Sequence, residues 1–312
     1  MQMKKLFLAA LVSILLCGCS SSGKIRIGCA PKGGVYYSFG IVLSDIARHE
    51  GIELSVRETS GSSSNLRLLS EGYIQLGIAQ SDRISHAYYD KESPMKGYSA
   101  VASLYDEAVM IIVKADSGIQ TVEDLENRRI SIGEEESGTA LNAREVLLAY
   151  GLGPENYITE FMNYSEASKA LADNSIAAMF VTASPDAEML RKLNEKIPIR
   201  LLSLDDKIID RLGNVYAYFT KVIISKDLYR GMEEDAKTIG VRSVLLASDS
   251  LSESDVYTLT DILFDHKSEF DEYLGSDLRI RPESALDGLT IPLHPGALRY
   301  YDEQNYNTDH LR

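Results

Sequence analysis

Cysteine is scarce in this sequence. Only three cysteines occur among the 312 residues, and two of them, Cys17 and Cys19, lie in the N-terminal segment. Cys29 is therefore the single cysteine of the main part of the chain, which excludes a disulfide framework. Because no histidine lies near Cys29 in the sequence, we predict that this cysteine is a small buried residue rather than a nucleophile.

The sequence also lacks the motifs of common enzyme classes. It has no G-x-S-x-G nucleophile motif, because Gly61 is followed by three serines and then Asn65. It has no Walker loop and no dinucleotide fingerprint, and its five histidines do not have metal-ligand spacing. We therefore predict a protein that is not an enzyme and that uses no metal and no cofactor.

Basic residues are outnumbered by acidic ones, and the net charge is −14. Removal of residues 1–18, which contain Lys4 and Lys5 and no acidic residue, changes the net charge to −16. A surface this acidic argues against nucleic acid or anionic lipid as the main partner. It is compatible with a small anionic ligand, because a local site can be positive within a negative field.

Long apolar runs are missing after the N-terminus. There, two lysines precede the apolar run 6–16, which is too short to span a bilayer. The run ends in a Leu-Cys-Gly-Cys sequence that finishes at Cys19 and resembles the lipobox of bacterial lipoproteins. We predict a signal peptide over 1–18, a tether over 19–23 and a lipid on Cys19. The lipid would hold an extracytoplasmic protein on the cell membrane, or on the outer membrane facing the periplasm. An ordinary secretory signal cleaved nearby is the alternative.

The stretch 58–82 carries the clearest functional signal. Short polar residues, from Thr59 to Asn65, precede a helical pattern that Gly72 ends. An alternating strand pattern follows and ends in three polar residues, Gln80, Ser81 and Asp82. In an open α/β sheet, helix N-termini and strand ends meet at the ligand crevice. We interpret this stretch as half of a binding cleft for a small anion, in which Asp82 either caps the next helix or pairs with a ligand ammonium.

Two further loops have the same character. Gly33 and Gly34 follow a first strand and precede a helix whose start carries Tyr36 and Tyr37. A third helix is preceded by three glutamates and opened by three small residues, Ser137, Gly138 and Thr139. Each loop presents N–H groups and hydroxyls at a helix N-terminus, where the helix dipole favours negative charge. We read the glutamates before Ser137 as a solvated turn.

The order of elements predicts an α/β fold of two lobes joined by two hinge strands. The run 108–114 is typical of a strand buried on both faces, and a second crossing strand is predicted near 214–221. Lobe 1 would combine 24–110 with 221–312, and lobe 2 would span 111–220. Two long helical patterns, 233–247 and 252–273, complete lobe 1. Lobes joined in this way can hinge and close on a ligand.

Taken together, these pieces resemble the TAXI family, the extracytoplasmic solute-binding proteins associated with TRAP transporters. The matching segments follow the family's order along nearly the whole chain: Gly33 to Tyr37, Thr59 to Ser62 with Asn65, Gln80 to Asp82, Ser103 to Tyr105, Ser137 to Thr139, Ser184-Pro185 and Pro292 to Ala297. The resemblance implies a type II periplasmic-binding-protein fold with the ligand between the lobes. It also implies a small organic anion as ligand, glutamate-like or a C4–C5 dicarboxylate, and delivery to a TRAP-type permease.

The resemblance also implies which residues contact the ligand. Carried over to this sequence, it places Tyr36, Ser62, Asn65, Ser81, Ser137, Gly138 and Thr139 in the pocket and Ser184 near it. The loop and strand-end patterns add Gly34, Tyr37, Thr59, Gly61 and Gln80 to the predicted ligand-binding set. The chain departs from the family at the glutamates before Ser137 and at Ala183-Ser184, where small residues and a glycine are usual.

Two other functions fit the same sequence. A monomeric binding lipoprotein could signal to a membrane sensor instead of serving a permease. A remote alternative is an extracytoplasmic esterase that uses one of the serines at 62–64.

The lipobox makes a direct prediction. Substitution of Cys19→Ser removes the thiol that would be lipidated, so most of the protein should move from the membrane to the soluble fraction of fractionated cells. Cys17→Ser is the matched control and should leave the protein on the membrane. Unchanged fractionation of Cys19→Ser would contradict the anchor.

Overall fold

The computed structural model describes residues 24–216, 218–274 and 280–312. The predicted signal peptide, the tether and Cys19 lie outside these described residues. Within them, no helix combines the length and the apolar character that crossing a membrane requires.

The described residues form strands and helices in alternation. The strands are β1 (Ile25–Gly28), β2 (Leu54–Arg57), β3 (Leu76–Gln80), β4 (Tyr98–Lys114), β5 (Arg129–Ser131), β6 (Ile158–Glu160), β7 (Ala178–Ala183), β8 (Ile199–Leu201), β9 (Thr220–Ile224) and β10 (Ala236–Ser248). The helices are α1 (Val35–His49), α2 (Ser62–Ser70), α3 (Ser81–Tyr89), α4 (Gly138–Ala149), α5 (Tyr164–Ala172), α6 (Glu188–Lys196), α7 (Asp206–Val215), α8 (Glu253–Asp265), α9 (Lys267–Leu274) and α10 (Pro295–Glu303).

Two parallel sets of strands are joined by a central antiparallel pair. The strand order is β2-β1-β3-β10-β4-β7-β5-β6, with β8 on β4 and β9 on β10. Strand β1 pairs in parallel with β2 and β3, and β5 pairs in parallel with β6 and β7. Strands β4 and β10 pair with each other in antiparallel register along most of their length. They therefore connect the two sets.

Apolar residues form a separate core in each half. One cluster combines residues between 25 and 105 with residues from 244 onward. Two further apolar clusters consist of residues from 108–241. They lie on opposite faces of β4, because Val109, Ile111 and Val113 belong to one cluster and the alternate residues of the strand belong to the other cluster. The prediction of a strand buried on both faces over 108–114 is confirmed. Buried Cys29 belongs to the first cluster, as predicted, and burial raises the pKa of its thiol to about 12.

The second crossing between the halves differs from the sequence prediction. The segment 233–247, predicted as a helix, contains β10, whose residues change from one core to the other between Val241 and Val244. The second crossing between the halves is therefore within β10 and not at 214–221. Strand β9, which begins in the predicted region, pairs only with the part of β10 that belongs to the second half, so the chain has not yet left that half. An apolar run buried on both faces has no strand period, so its sequence pattern did not distinguish strand from helix. The other helical pattern, 252–273, is present as α8 and α9.

Candidate functional site

A cavity of about 500 Å³ lies between the two halves of the molecule. The residues that precede or begin α1 and α2 line it from the first half, and those that precede or begin α4, α5 and α6 line it from the second. Helix N-termini carry partial positive charge and N–H groups without partners in the helix. The cavity therefore receives this character from both halves, and its volume suits a small organic molecule.

Glycine precedes both helices that reach the cavity from the first half. Gly34 is the N-cap of α1 and Gly61 the N-cap of α2, so neither helix has a side-chain cap at that position. Gly61 has φ of 111°, a conformation that residues with side chains avoid. Ser62 Oγ accepts a hydrogen bond of 3.1 Å from the Gln80 N–H. The start of α2 is thereby held against the end of β3, with its first N–H groups free of a side-chain cap.

The first turn of α4 fits closely against the opposite half. Ser137 caps the helix by accepting the Ala140 N–H at 3.0 Å. A Cβ atom added to Gly138 would lie 1.8 Å from Gln80 Oε1 and 2.9 Å from Ser62 Oγ. With a larger residue at this position, the Gln80 side chain would have to move or the two halves would have to separate. Thr139 Oγ1 lies 2.8 Å from the Tyr164 hydroxyl at the start of α5.

An ion pair connects the halves at the same loop. The Arg67 guanidinium donates to both carboxylate oxygens of Glu136, at 3.0 and 2.9 Å, and the Ser64 N–H donates to the Glu136 carbonyl. The Arg67 contacts lower the pKa of Glu136. Glu134 lines the cavity, and partial burial raises its pKa. The prediction of a solvated turn over these glutamates is therefore wrong for Glu134, whereas the ion-paired Glu136 side chain is 45% exposed.

The cavity wall also contains an acid that the sequence analysis missed. Glu107, on β4, is buried and accepts hydrogen bonds from the Tyr36 hydroxyl at 3.0 Å and from Gln80 Nε2 at 3.1 Å. Burial raises its pKa to about 8, although both hydrogen bonds lower it, and nearby Asp82 raises it further. The available signal was a pair of acids, Asp106 and Glu107, directly before the buried apolar run of β4.

Asp82 belongs to a second buried polar group at the junction. Its Oδ2 accepts a hydrogen bond of 2.8 Å from Asn142 Nδ2, and Asn142 Oδ1 accepts one of 3.0 Å from the Thr182 hydroxyl. Burial raises the pKa of Asp82 to about 6. The sequence suggested two roles for Asp82, a helix cap and a ligand contact. The structure supports neither role, because Gln80 is the N-cap of α3 and the Asp82 carboxylate accepts its hydrogen bond from Asn142 of the other half.

Nine of the predicted ligand-binding residues line the cavity: Gly34, Tyr36, Gly61, Ser62, Gln80, Ser137, Gly138, Thr139 and Ser184. The other four, Tyr37, Thr59, Asn65 and Ser81, do not belong to its lining among the described residues.

Asn65 and Thr59 connect backbone segments instead. Asn65 Nδ2 donates to the Cys29 carbonyl at 2.6 Å and to the Ile78 carbonyl at 2.8 Å, which joins the ends of β1 and β3. The Thr59 hydroxyl donates to Asn65 Oδ1 at 2.7 Å. Their polar groups are thus used within the first half.

Ser81 and Tyr37 also have roles away from the cavity. Ser81 Oγ accepts the Arg242 N–H at 3.2 Å, which fixes the start of α3 to β10. Tyr37 is half-buried and packs against the apolar cluster of the first half. Adjacent to Tyr36 on a helix, it necessarily faces a different direction.

Two α/β halves, two long shared strands and a cavity between the halves define the type II periplasmic-binding-protein fold, so the predicted fold class is confirmed. Residues 27–304 match the NMT1-like family, and the chain belongs to this family.

Solved structures with low sequence identity have the same fold. The alkanesulfonate-binding protein SsuA from Xanthomonas axonopodis pv. citri, bound to MOPS, is 15% identical, with a TM-score of 0.51 over 94% of this chain and 96% of that chain. A putative L-cystine ABC transporter from Listeria monocytogenes is 14% identical, with a TM-score of 0.52 over 82% and 98%. A binding protein component of an ABC phosphonate transporter from Pseudomonas aeruginosa is 11% identical, with a TM-score of 0.51 over 85% and 82%.

The contacts of Asn65 predict a structural role. Substitution of Asn65→Ala removes the side-chain donor of the buried Ile78 carbonyl and one of two donors of the Cys29 carbonyl, which the Thr59 hydroxyl also contacts at 2.8 Å. It should lower the free energy of unfolding by about 2 kcal/mol. Urea denaturation measures this change. Ser70→Ala on the same helix is the control, because Ser70 bonds only carbonyls of its own helix, and it should cost less than about 1 kcal/mol. Equal stability of Asn65→Ala and the wild type would contradict the role.

Proposed function

We propose that this protein is an extracytoplasmic solute-binding protein that captures a small organic anion between its two halves. The observation that carries the proposal is the cavity, which receives helix N-termini from both halves. A hydrogen bond to a charged group contributes about 1.5–3 kcal/mol. A few such bonds would support micromolar binding, about −8 kcal/mol, after the ordering costs are met. Two structural neighbours, an alkanesulfonate-binding protein and a binding protein of a phosphonate transporter, support the same ligand class.

The proposed mechanism is closure of two lobes about β4 and β10. Following the apolar clusters, lobe 1 would comprise 24–105 with 244–312, and lobe 2 would comprise 108–241. An anion would first contact the starts of α1 and α2. Lobe 2 would then add the Ser137 to Thr139 turn, and the Arg67–Glu136 ion pair would hold the closed form.

The partner we propose is a TRAP-type permease, for ligands that are glutamate-like or C4–C5 dicarboxylates. This part of the proposal rests on the resemblance to the TAXI family. The lipid on Cys19 would keep the monomer close to the membrane that holds the permease. A lone gene beside a sensor kinase would favour the sensing alternative, whereas a neighbouring gene for a TRAP membrane subunit would favour transport.

An esterase has less support than a binding protein. Ser62 Oγ lies at the cavity, but it accepts the Gln80 N–H, and the described lining residues include no histidine that could act as its base.

A thermal-shift screen tests the ligand class. The panel contains glutarate, succinate, L-glutamate, ethanesulfonate, neutral sugars and diamines. We expect at least one acid to raise the melting temperature, because its charge would be bound by N–H groups that the empty protein leaves to water. Stabilisation by sugars or diamines alone would contradict the proposal.

The close approach of α4 to the first half predicts the effect of Gly138→Ala. The added methyl group would collide with Gln80 and Ser62 only when the lobes are closed. The variant should therefore fold, with a melting temperature close to that of the wild type, and lose at least tenfold in affinity for the best acid of the panel, measured by calorimetry.

Gly213→Ala is the matched control for this substitution. Gly213 also lies in a helix, α7, and its added Cβ would meet its nearest atom at 3.9 Å. It should bind the acid as the wild type does. Wild-type affinity of Gly138→Ala would contradict closure at this contact.

A further inference from the structure

One buried carboxyl group in the cavity is not explained by an anion site alone. Glu107 lies on β4 where the strand passes between the halves, is only 4% exposed, and contributes to the cavity wall. An ionised carboxylate at this place would repel an anion. The protonation state of Glu107 therefore determines which ligand groups can approach it.

The two oxygens of Glu107 have different surroundings. Oε2 accepts hydrogen bonds from the Tyr36 hydroxyl and from Gln80 Nε2. Within the described part of the chain, no hydrogen bond involves Oε1. A neutral carboxyl group carries one proton. An oxygen that already accepts hydrogen bonds from two donors is disfavoured as the site of that proton, because a proton there would face two other donor hydrogens. The proton of the neutral form therefore belongs on Oε1, where it is available to a group in the cavity.

Titratable groups that surround Glu107 supply no positive charge. Tyr36 of α1, Tyr105 of the same strand and Tyr164 of α5 all interact with it as neutral phenols whose pKa values are raised by burial. Asp82 of α3 interacts with it as a second acid. The cavity wall also contains Glu134, whose pKa is raised by burial, and three further acids, Asp186, Glu188 and Glu272.

The nearest basic residue on the neighbouring strand is committed elsewhere. Arg242 of β10 forms ion pairs with Asp106 at 3.1 Å and with Asp287 at 3.7 Å. Burial without a cationic partner disfavours the ionised form of a carboxyl group. The pKa of Glu107, about 8, agrees with this geometry.

We propose that Glu107 acts as a neutral acid that donates a hydrogen bond from Oε1 to an oxygen of the bound anion. The inference rests on the proposed function and narrows the ligand class: a carboxylate, sulfonate or phosphonate oxygen lies against Glu107, and an ammonium group does not. A carboxyl group kept neutral by an apolar site can serve as a donor in this way. Hydrogen bonds to ionised acceptors are about twice as strong as neutral ones.

The proposal fixes the sign of the pH dependence. Only the protonated form of Glu107 can donate, so the Kd of an anion stays constant below a pH of about 8 and rises about tenfold for each further pH unit. Between pH 7 and pH 9 the expected increase in Kd is about tenfold. A ligand ammonium against Glu107 would give the opposite result, because binding would then require the ionised carboxylate and would weaken as the pH falls.

Calorimetric titrations at pH 6.5, 7, 8 and 9 test the proposal. The probe is whichever of glutarate, L-glutamate and ethanesulfonate stabilises the protein most in the thermal-shift panel. We expect Kd to rise between pH 7 and pH 9, together with proton uptake on binding at pH 9. A constant Kd, or a Kd that falls toward pH 9, would overturn the proposal. If no acid of the panel binds at any pH, the proposed anion-binding function fails instead, so the two failures are distinguishable.

Variants assign the pH dependence to Glu107. Glu107→Gln retains a neutral donor that cannot ionise, so its Kd should not change between pH 7 and pH 9. Tyr36→Phe removes a hydrogen bond that lowers the pKa of Glu107, so the rise in Kd should move to higher pH. Glu145→Gln is the control, because burial also raises the pKa of Glu145 to about 8 but Glu145 is not among the described residues that line the cavity, and this variant should keep the wild-type pH profile. A wild-type profile in Glu107→Gln would overturn the assignment, and if that variant does not fold, the shift in Tyr36→Phe decides it.

Discussion

The pairing of β4 with β10 is the constraint on which the rest of the structure depends. Each strand contributes residues to the cores of both halves, and the two pair with each other from Tyr98 opposite Ser248 to Ala108 opposite Gly240. Because both strands are buried on both faces, neither half can complete its core without them. A polar group on these strands at the junction, such as Glu107 opposite Val241, is consequently buried between the halves and exposed only to the cavity.

The chemistry of the cavity is largely that of the backbone. Gly34 and Gly61 leave the first N–H groups of two helices without side-chain caps, and Gly138 lets a third helix approach them from the other half. A larger residue at position 138 would meet the side chains of Gln80 and Ser62 in the first half and would oppose this close approach. In the proposed function, recognition would therefore depend on the absence of side chains at these positions.

Local patterns in the sequence, together with the family resemblance, predicted nine residues of the cavity wall. A glycine or a small polar residue before a helix has the same meaning wherever the helix lies, so Gly61, Ser62 and Gly138 could be assigned to a cleft before the fold was known. Asn65 has the same polar character and lies in the same loop-helix segment. Its partners, however, are the carbonyls of Cys29 and Ile78, which only the three-dimensional pairing of β1 and β3 brings to it.

Two errors of prediction have a common physical origin. β10 resembled a helix because a strand buried on both faces does not alternate, and the crossing between the halves was placed too early as a result. Glu107 was missed because an acid beside an apolar run suggests a strand end at the surface. In each case the sequence pattern records the local composition, whereas the function depends on burial at the junction of the halves.

A protein with a net charge of −14 cannot attract an anion over long distances, so its selectivity must come from groups within the cavity. Arg191 of the cavity wall is paired with Asp186 at 2.8 Å, so the donors of the proposed site are chiefly amides, hydroxyls and the proposed neutral acid Glu107. Such donors act only over hydrogen-bond distances, and they favour an anion only when water is excluded. In the proposed function, enclosure by both halves would be a condition for anion binding. This would account for the position of helix N-termini on both sides of the cavity.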